Sequence, residues 1–577
     1  MPQLSRLESY ADGLERAVAC APGQALVTLL DRLAADPVGL LGEAMVLWRL
    51  QRYGDALTLL DGPSRDSCQN DPQYWVLVGM AARQLAGHHQ RALQAYQCAL
   101  ELAPQRADIH YNLGNLLQDT DPAAAEIAYL QSLLLDPMQA PCWHNLAMVY
   151  QQADRFLEAV GAHRISLKLD PTVPDVWCNL GLALLALDHH GPAQRCFTHA
   201  ISLDHSHGAS HTNMGTALIR QALHPEQALA FLQRGVELQQ SSADSLWNLA
   251  LADLLLGNYR RGWDYYEARL QTKFAIPHEV PSAGSIPASL DDCPKAGDPP
   301  LLVWSEQGLG DAIQFGRYLP LLEAAGVPYE LRCRPPLARL FRDWFGLGDR
   351  VRVETGRTDA IDTRPHCPLL SLPRLFRTEL ITVPSVLPYL HPPAAAPAHL
   401  QVPPPPGGIA VGLVWAANAS NTVMYRHKSI PLALLMPRLL DLVDLDLIEL
   451  HALQVGPDAS QLDPWRHHPR LTDWSPLLHD FADTAHVVRQ LDLVITVDTA
   501  VAHLAGALNR PCWVLLPRNG DFRWLRERSD SPWYPGCMRL FRQQAHGDWS
   551  SVVQQLKEAW DALTLFDLDA LVAAKLH

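Results

Sequence analysis

Two stretches of this chain place carboxylate, hydroxyl, imidazole and glycine groups where they can act on a bound molecule. The first, EQGLGDAIQFGRYLP over residues 306–320, follows the short apolar run LLVWSE and turns into a helical pattern. Gly308 and Gly310 therefore fall in a strand-to-helix turn, where their backbone freedom permits a tight bend beneath a substrate, and Asp311 falls at the helix start. A carboxylate there can cap the helix beginning at Ala312, or it can face the substrate and accept a proton from it. The second stretch, DLVITVDTAVAHLAGALNRPCWVLLP over residues 492–517, reads as strand, acidic turn, helix and strand. Free amides at the start of the Thr499 helix, aided by the helix dipole, can hold a diphosphate. The Thr499 hydroxyl can add a hydrogen bond, and His503, one turn on, can donate from the same face. The structural alternative is that Asp498 and Thr499 are only N-cap residues and His503 packs under the next strand.

Basic groups lie nearby in the sequence. NTVMYRHKSIPL, residues 421–432, carries Arg426 and Lys428, and RNGDFRWLRERSDSPWYP, residues 518–535, carries Arg518, Arg523 and Arg526. Each can be a phosphate-binding turn or a solvated surface loop. Gln454 closes the strand-like LIELHALQ.

These motifs need elements to position them, and the second half of the chain supplies an alternating pattern of short apolar runs and helical stretches, which argues for parallel sheet with crossover helices. Proline-rich segments divide it: a linker over 271–300, a first Rossmann-like lobe over 301–390, a hinge over 391–408 dominated by proline and alanine, and a second lobe over 409–577. The first half differs in kind. HYNLGNLL, WHNLAMVY, WCNLGLAL, HTNMGTAL and LWNLALAD place Asn112, Asn145, Asn179, Asn213 and Asn248 at spacings of 33, 34, 34 and 35 residues, with Pro104, Pro137 and Pro171 on the same period. A small residue after N-L allows two helices to approach closely, and a terminal proline breaks the second helix.

This unit resembles the tetratricopeptide repeat over about residues 72–270, with weaker units reaching back to 39 and an atypical helical cap over 1–38. The resemblance implies an all-α superhelix with a concave groove. The five asparagines are expected to line that groove and hold a protein or peptide, each amide donating and accepting at once, although they can instead bond to a neighbouring repeat. In the second half, Asp498, Thr499, His503, Ala505, Ala507 and Pro511 resemble the signature of glycosyltransferase family nine, the heptosyltransferase-like enzymes. The whole resembles bacterial tetratricopeptide proteins that carry such a module.

What that second resemblance implies is specific. The fold would be GT-B-like, with the acceptor on the first lobe and the nucleotide sugar on the second. Asp311, in GLGD, would be the base that deprotonates the acceptor. Lys428, helped by Arg426, would neutralise the departing nucleotide diphosphate, and Gln454 would touch ribose or base. The reaction would be inverting and need no metal ion or cofactor, with a nucleotide-diphosphate sugar as substrate. The family has glycine where this chain has Ala500, whose methyl group stands where a backbone should approach closely. That departure supports the alternative of a non-catalytic interaction scaffold with a degenerate transferase half. Peptide O-glycosylation is a third reading by architectural analogy alone.

Composition limits the remaining possibilities. The 577 residues allow about three domains. A formal charge of -15 and scattered arginines offer no footprint for nucleic acid. The N-terminus carries no apolar run of signal type and no segment has the roughly 18 apolar residues of a membrane span, so a soluble cytoplasmic protein is expected. The eleven cysteines never form C-x-x-C and are expected to be reduced, mostly buried thiols.

Overall fold

The computed structural model describes residues 37–62, 68–221, 224–272, 284–353, 364–393, 397–405, 408–419, 422–444 and 447–562, and nearly all of the expected cap lies outside them. The chain divides into two compact units, residues 1–210 and 211–577.

In the first unit the described residues form α1 (Pro37–Arg49), α2 (Tyr53–Leu60), α3 (Pro72–Arg83), α4 (His89–Leu102), α5 (Ala107–Leu117), α6 (Pro122–Leu135), α7 (Ala140–Gln152), α8 (Phe156–Leu169), α9 (Pro174–Ala186) and α10 (His190–Leu203). The sequence period has a mechanical origin. His110 Nε2 lies 3.0 Å from the Pro104 carbonyl, Trp143 Nε1 donates to Pro137 at 2.9 Å and Trp177 Nε1 to Pro171 at 2.8 Å. The ring ahead of N-L and the proline that closes the preceding hairpin are thus two halves of one turn lock. The small residue after N-L is a socket: a Cβ on Gly114 would lie 2.6 Å from the Tyr129 ring, and one on Gly181 2.4 Å from Phe197. Filling either socket would push a buried ring out of a close-packed hairpin.

The second unit opens within the first turn of α11 (Gly208–Arg220) and continues with helices of the same kind, α12 (Pro225–Leu238), α13 (Ala243–Leu255) and α14 (Tyr259–Tyr266). Two parallel sheets follow. The first contains β1 (Leu301–Trp304), β2 (Tyr329–Cys333), β3 (Val351–Val353) and β4 (His366–Pro368) in the order β3-β2-β1-β4. The second contains β5 (Ile409–Val414), β6 (Ile448–Ala452), β7 (Leu471–Asp473), β8 (Leu493–Val497), β9 (Cys512–Leu516) and β10 (Met538–Arg542) in the order β10-β9-β8-β5-β6-β7. Counted from β5, the second order is that of the doubly wound fold, whose ligand crevice opens where the order reverses, at the carboxyl ends of the strands. Here that point lies between β5 and β8, and its counterpart in the first sheet lies between β1 and β4. The helices used below are α15 (Leu309–Phe315), α16 (Leu319–Ala324), α17 (Leu372–Leu375), α18 (Thr422–Lys428), α19 (Leu432–Asp444), α20 (Phe481–Val488), α21 (Ala500–Ala507) and α22 (Trp549–Asp561).

One continuous apolar core includes residues of α13, α14, both sheets and α21, while α19 and α22 cover the opposite face of the second sheet. Trp263 of α14 is its keystone, edge-on to Tyr259, Tyr266, Phe315, Phe522 and Trp533. Helices grouped by period with the repeats therefore pack as part of the α/β unit. The proline-rich segments are also partly packed. Leu400 is fully buried, and the Gln490 amide donates to its carbonyl at 2.8 Å while accepting from Val402 N–H at 3.0 Å. Cys293 is buried in the same core. Among the described residues the cysteines are free thiols, all buried except the half-buried Cys98, and no helix is long and apolar enough to cross a membrane.

Candidate functional site

The turn after β1 brings Asp311 to the carboxyl end of the first sheet. Helix α15 starts at Leu309, earlier than the expected Ala312, with Gly308 as its N-cap. Asp311 sits in the first turn and reaches back to accept the Gly308 N–H at 2.7 Å. The two glycines are there for closeness, since the left-handed backbone belongs to Gln307, with φ of 57°. A Cβ on Gly310 would lie 2.9 Å from His503 Cδ2 and 3.1 Å from the Ala500 Cα. Gly310 thus lets α15, which follows the first sheet's β1, settle directly on the start of α21, which follows the second sheet's β8.

At the reversal point of the second sheet, β8 is followed by Asp498 and Thr499. Thr499 is the N-cap of α21, but its side chain makes no capping bond and instead meets the Thr496 hydroxyl at 3.0 Å. Asp498 is buried and ion-paired with Lys428, the last residue of α18, at 2.6 Å. Burial pushes the Asp498 carboxyl up, but the Lys428 ammonium outweighs it and leaves the pKa at about 2. His503 is buried, stacked on Trp524 with ring centroids 5.3 Å apart, and 3.0 Å from the Tyr534 hydroxyl through Nδ1. Burial holds its imidazole down to about 3, so it is neutral and offers a single N–H.

The elements of the two sheets are tied by Arg523, which follows β9. It pairs with Asp311 across the interface and with Asp521 at 2.5 Å, and stacks on Phe522 at 4.4 Å. Burial raises the Asp311 pKa, and the Arg523 guanidinium and Gly308 N–H oppose that rise. The cluster thus joins a carboxylate that follows β1 of the first sheet to two cations, two further carboxylates and an uncapped helix start from the segments of the second. Arg542 adds a cation behind it, bonded to the Leu525 carbonyl at 2.8 Å and held down to about 10 by burial.

The other expected residues are placed differently. Gln454 accepts from Trp415 and Ala416 N–H at 3.2 and 2.9 Å and donates to Val455 at 3.1 Å, so it braces the loop after β5 with its whole amide. Arg426 is exposed. Arg518 donates to the Gln544 carbonyl, and Arg526 is half-buried. The repeat asparagines Asn112, Asn145, Asn179, Asn213 and Asn248 are all half-buried. Asn145 donates to Asn115 at 2.7 Å and to the Tyr111 hydroxyl at 3.3 Å, in the preceding hairpin, and Asn248 donates to the Asp244 carbonyl at 2.8 Å. Sequence reasoning missed Arg269, Glu306, Arg317 and Tyr534. Arg317 is buried with no acidic partner among the described residues, held by the carbonyls of Trp533, Pro384 and Gln314 and by the faces of Tyr389 and Tyr534. The one available signal was the aromatic density of YRRGWDYYEARL, too rich for a solvated repeat helix.

Comparison with known proteins agrees with the helical half. Family models for the TPR repeat and the tetratricopeptide repeat match residues 86–121 and 174–207, so the chain carries tetratricopeptide repeats. It is 26% identical to Protein FlbA of Caulobacter vibrioides, over 84% of this chain and 83% of that one. A shorter match, 31% identical, links 24% of the chain to 10% of the cellulose synthase operon protein C of Xanthomonas axonopodis pv. citri. Among solved structures, the MamA protein matches at 20% identity and a TM-score of 0.28, over 31% of this chain and 96% of that one. YrrB, a TPR protein with an unusual peptide-binding site, matches at 20% identity and a TM-score of 0.26, over 31% and 93%.

Proposed function

We propose that this chain is an inverting, metal-independent glycosyltransferase of GT-B type that moves a sugar from a nucleotide-diphosphate donor to a protein acceptor held by its repeats. The observation that carries the reading is the ion pair between Asp311 and Arg523. It joins the carboxyl end of β1 to the segment following β9, beside the Asp498–Lys428 pair at the end of β8. On this reading the acceptor-side base and the donor-side cations meet beyond the carboxyl ends of the strands of both sheets, where such folds take their ligands.

In the proposed reaction Asp311 takes the proton of an acceptor hydroxyl, whose oxygen attacks the anomeric carbon as the bond to the diphosphate breaks on the opposite face. Burial favours a base that holds a proton more readily than a surface carboxylate. Lys428, Arg523 and the uncapped N–H groups of α21 supply the counter-charge for the leaving diphosphate, in a site where water is sparse and such charges act strongly. Seating the donor requires α15 to move off α21, because Gly310 and Ala500 touch in the structure. The same contact favours the second reading, a repeat scaffold whose transferase-like half is closed, with its charges satisfied by one another.

The test uses the full chain, since α13 and α14 belong to the α/β core. UDP, GDP, CDP and ADP, and their common sugars, are titrated calorimetrically and then offered with candidate acceptor proteins. Saturable binding of one nucleotide class and transfer of its sugar support the enzyme. Absence of binding across the panel establishes the scaffold instead.

A further inference from the structure

We infer that Arg269, beyond the end of the repeat helices, is a positioning residue for Asp311; the inference rests on the reading above. Residues 305–307 join β1 to the N-cap Gly308, and the two before Gly308 are gripped from the same short segment. Arg269 donates to the Glu306 carboxylate through Nη2 at 2.6 Å and Nε at 2.9 Å. The same guanidinium reaches Ser371, just beyond β4, at 2.8 Å, the Tyr266 carbonyl at 3.0 Å and Glu267 at 3.0 Å, and Ser371 donates to Glu267 at 2.8 Å. Tyr266 then meets the Gln307 side-chain amide, with contacts of 3.1 and 3.2 Å. Arg269, Glu306 and Ser371 are all buried.

This arrangement fills the crevice between the carboxyl ends of β1 and β4 with a residue from the end of the helical array, where a doubly wound lobe would otherwise present its ligand crevice. Stability alone does not demand it, because a buried ion pair is often replaceable by apolar groups. A forked guanidinium on a carboxylate instead fixes orientation, since two parallel bonds resist rotation. Gln307 needs that restraint, being a non-glycine residue in the left-handed region. Its backbone sets the direction of the next peptide, hence of the Gly308 N–H, and that N–H holds the Asp311 carboxylate at 2.7 Å. The path from Arg269 to Asp311 is therefore Glu306, the Gln307 peptide and the Gly308 N–H, its two ends hydrogen bonds and its middle the covalent backbone.

Two full-length variants test this. Arg269→Lys keeps the charge and loses the fork, and Arg269→Met with Glu306→Leu removes both members of the buried pair and leaves only the half-buried Glu267 carboxylate, still bonded to Ser371, which keeps the test open if the first folds poorly. Amide hydrogen exchange over residues 306–312 should accelerate about tenfold or more in both, with slow exchange retained in β1 and β8. Turnover, normalised to the calorimetric stoichiometry for nucleotide diphosphate, should fall about 10- to 100-fold, the scale of a displaced catalytic group. Donor affinity should fall much less than turnover, because Arg269 and Glu306 themselves contact none of the residues assigned to the donor. The acid limb of the rate should move to higher pH as Asp311 loses the Gly308 bond that favours its charged form. Unchanged exchange over 306–312 overturns the inference whether or not the chain is an enzyme. In an active enzyme, accelerated exchange with native turnover and pH profile overturns it too. A chain that transfers no sugar defeats the enzyme reading while the exchange result still decides whether Arg269 sets the turn.

Discussion

Replacing Asp311 with asparagine separates a catalytic carboxylate from a capping one, and the structure supplies the magnitudes. The native carboxylate accepts the Gly308 N–H at 2.7 Å through one oxygen and pairs with Arg523 through the other. Asparagine keeps one acceptor oxygen, so one of the two contacts is lost, at a cost of about 1.5 to 3 kcal/mol for a hydrogen bond involving a charged group. Arg523 is not left unpaired, because Asp521 stays 2.5 Å away. Subtracted from a stability of about 5 to 15 kcal/mol, that loss leaves at most a few per cent of the protein unfolded. Destabilisation therefore lowers the rate by only a few per cent. Loss of a general base accounts for about 100- to 10,000-fold. The assay is sugar transfer to the acceptor at saturating donor, with the folded fraction taken from calorimetric stoichiometry. A folded Asp311→Asn protein that transfers within about tenfold of the native rate refutes the base assignment, a tenth being well short of that range.

Lys428→Ala should weaken nucleotide-diphosphate binding by about 1.5 to 3 kcal/mol, the worth of a hydrogen bond to a charged group; unchanged calorimetric affinity removes Lys428 from the donor site. In the first unit, burial holds His163 down to about 3, so between pH 6.5 and 3 the unfolded chain binds the proton and the folded one does not. Stability should thus fall on acidification from about pH 6.5 by up to about 1.4 kcal/mol per pH unit, and urea unfolding of His163→Gln should show a correspondingly flatter pH dependence. Asn145→Ala should destabilise the repeats by about 1 kcal/mol, because Asn115 and Tyr111 lose a partner. If the remaining asparagines read an acceptor, Asn112→Ala with Asn179→Ala should lower acceptor affinity without moving the melting temperature, and unaltered affinity would show that the groove does not use them.

Much of this architecture is legible because its signals are local. The turn lock of Trp143 on Pro137 joins residues six apart, so it repeats visibly along the chain. Strands β5, β8 and β9 are buried on both faces and read as continuous apolar runs. Three-residue strands such as β4 and β7 carry no pattern to detect, being defined by neighbours far away in sequence. The candidate site divides in the same way. GLGD and the start of α21 are visible as turn chemistry, whereas the partner of Asp311 lies 212 residues away and nothing local announces it. The end of the repeats is the sharpest case. By period α13 and α14 belong to the helical array, yet Trp263 and the nearby Arg269 have the partners of a domain core: a large ring among five others, and a guanidinium closing the crevice of the first sheet. Periodicity reports how a helix is wound and which side is apolar, but it does not say what that side will meet. Trp263 meets Phe315 in α15, immediately beyond the GLGD turn, and Phe522 beside Arg523. The helix that finishes the array therefore packs against segments flanking both members of the Asp311–Arg523 pair, and a fragment cut at residue 299 would remove the wall against which that pair is set.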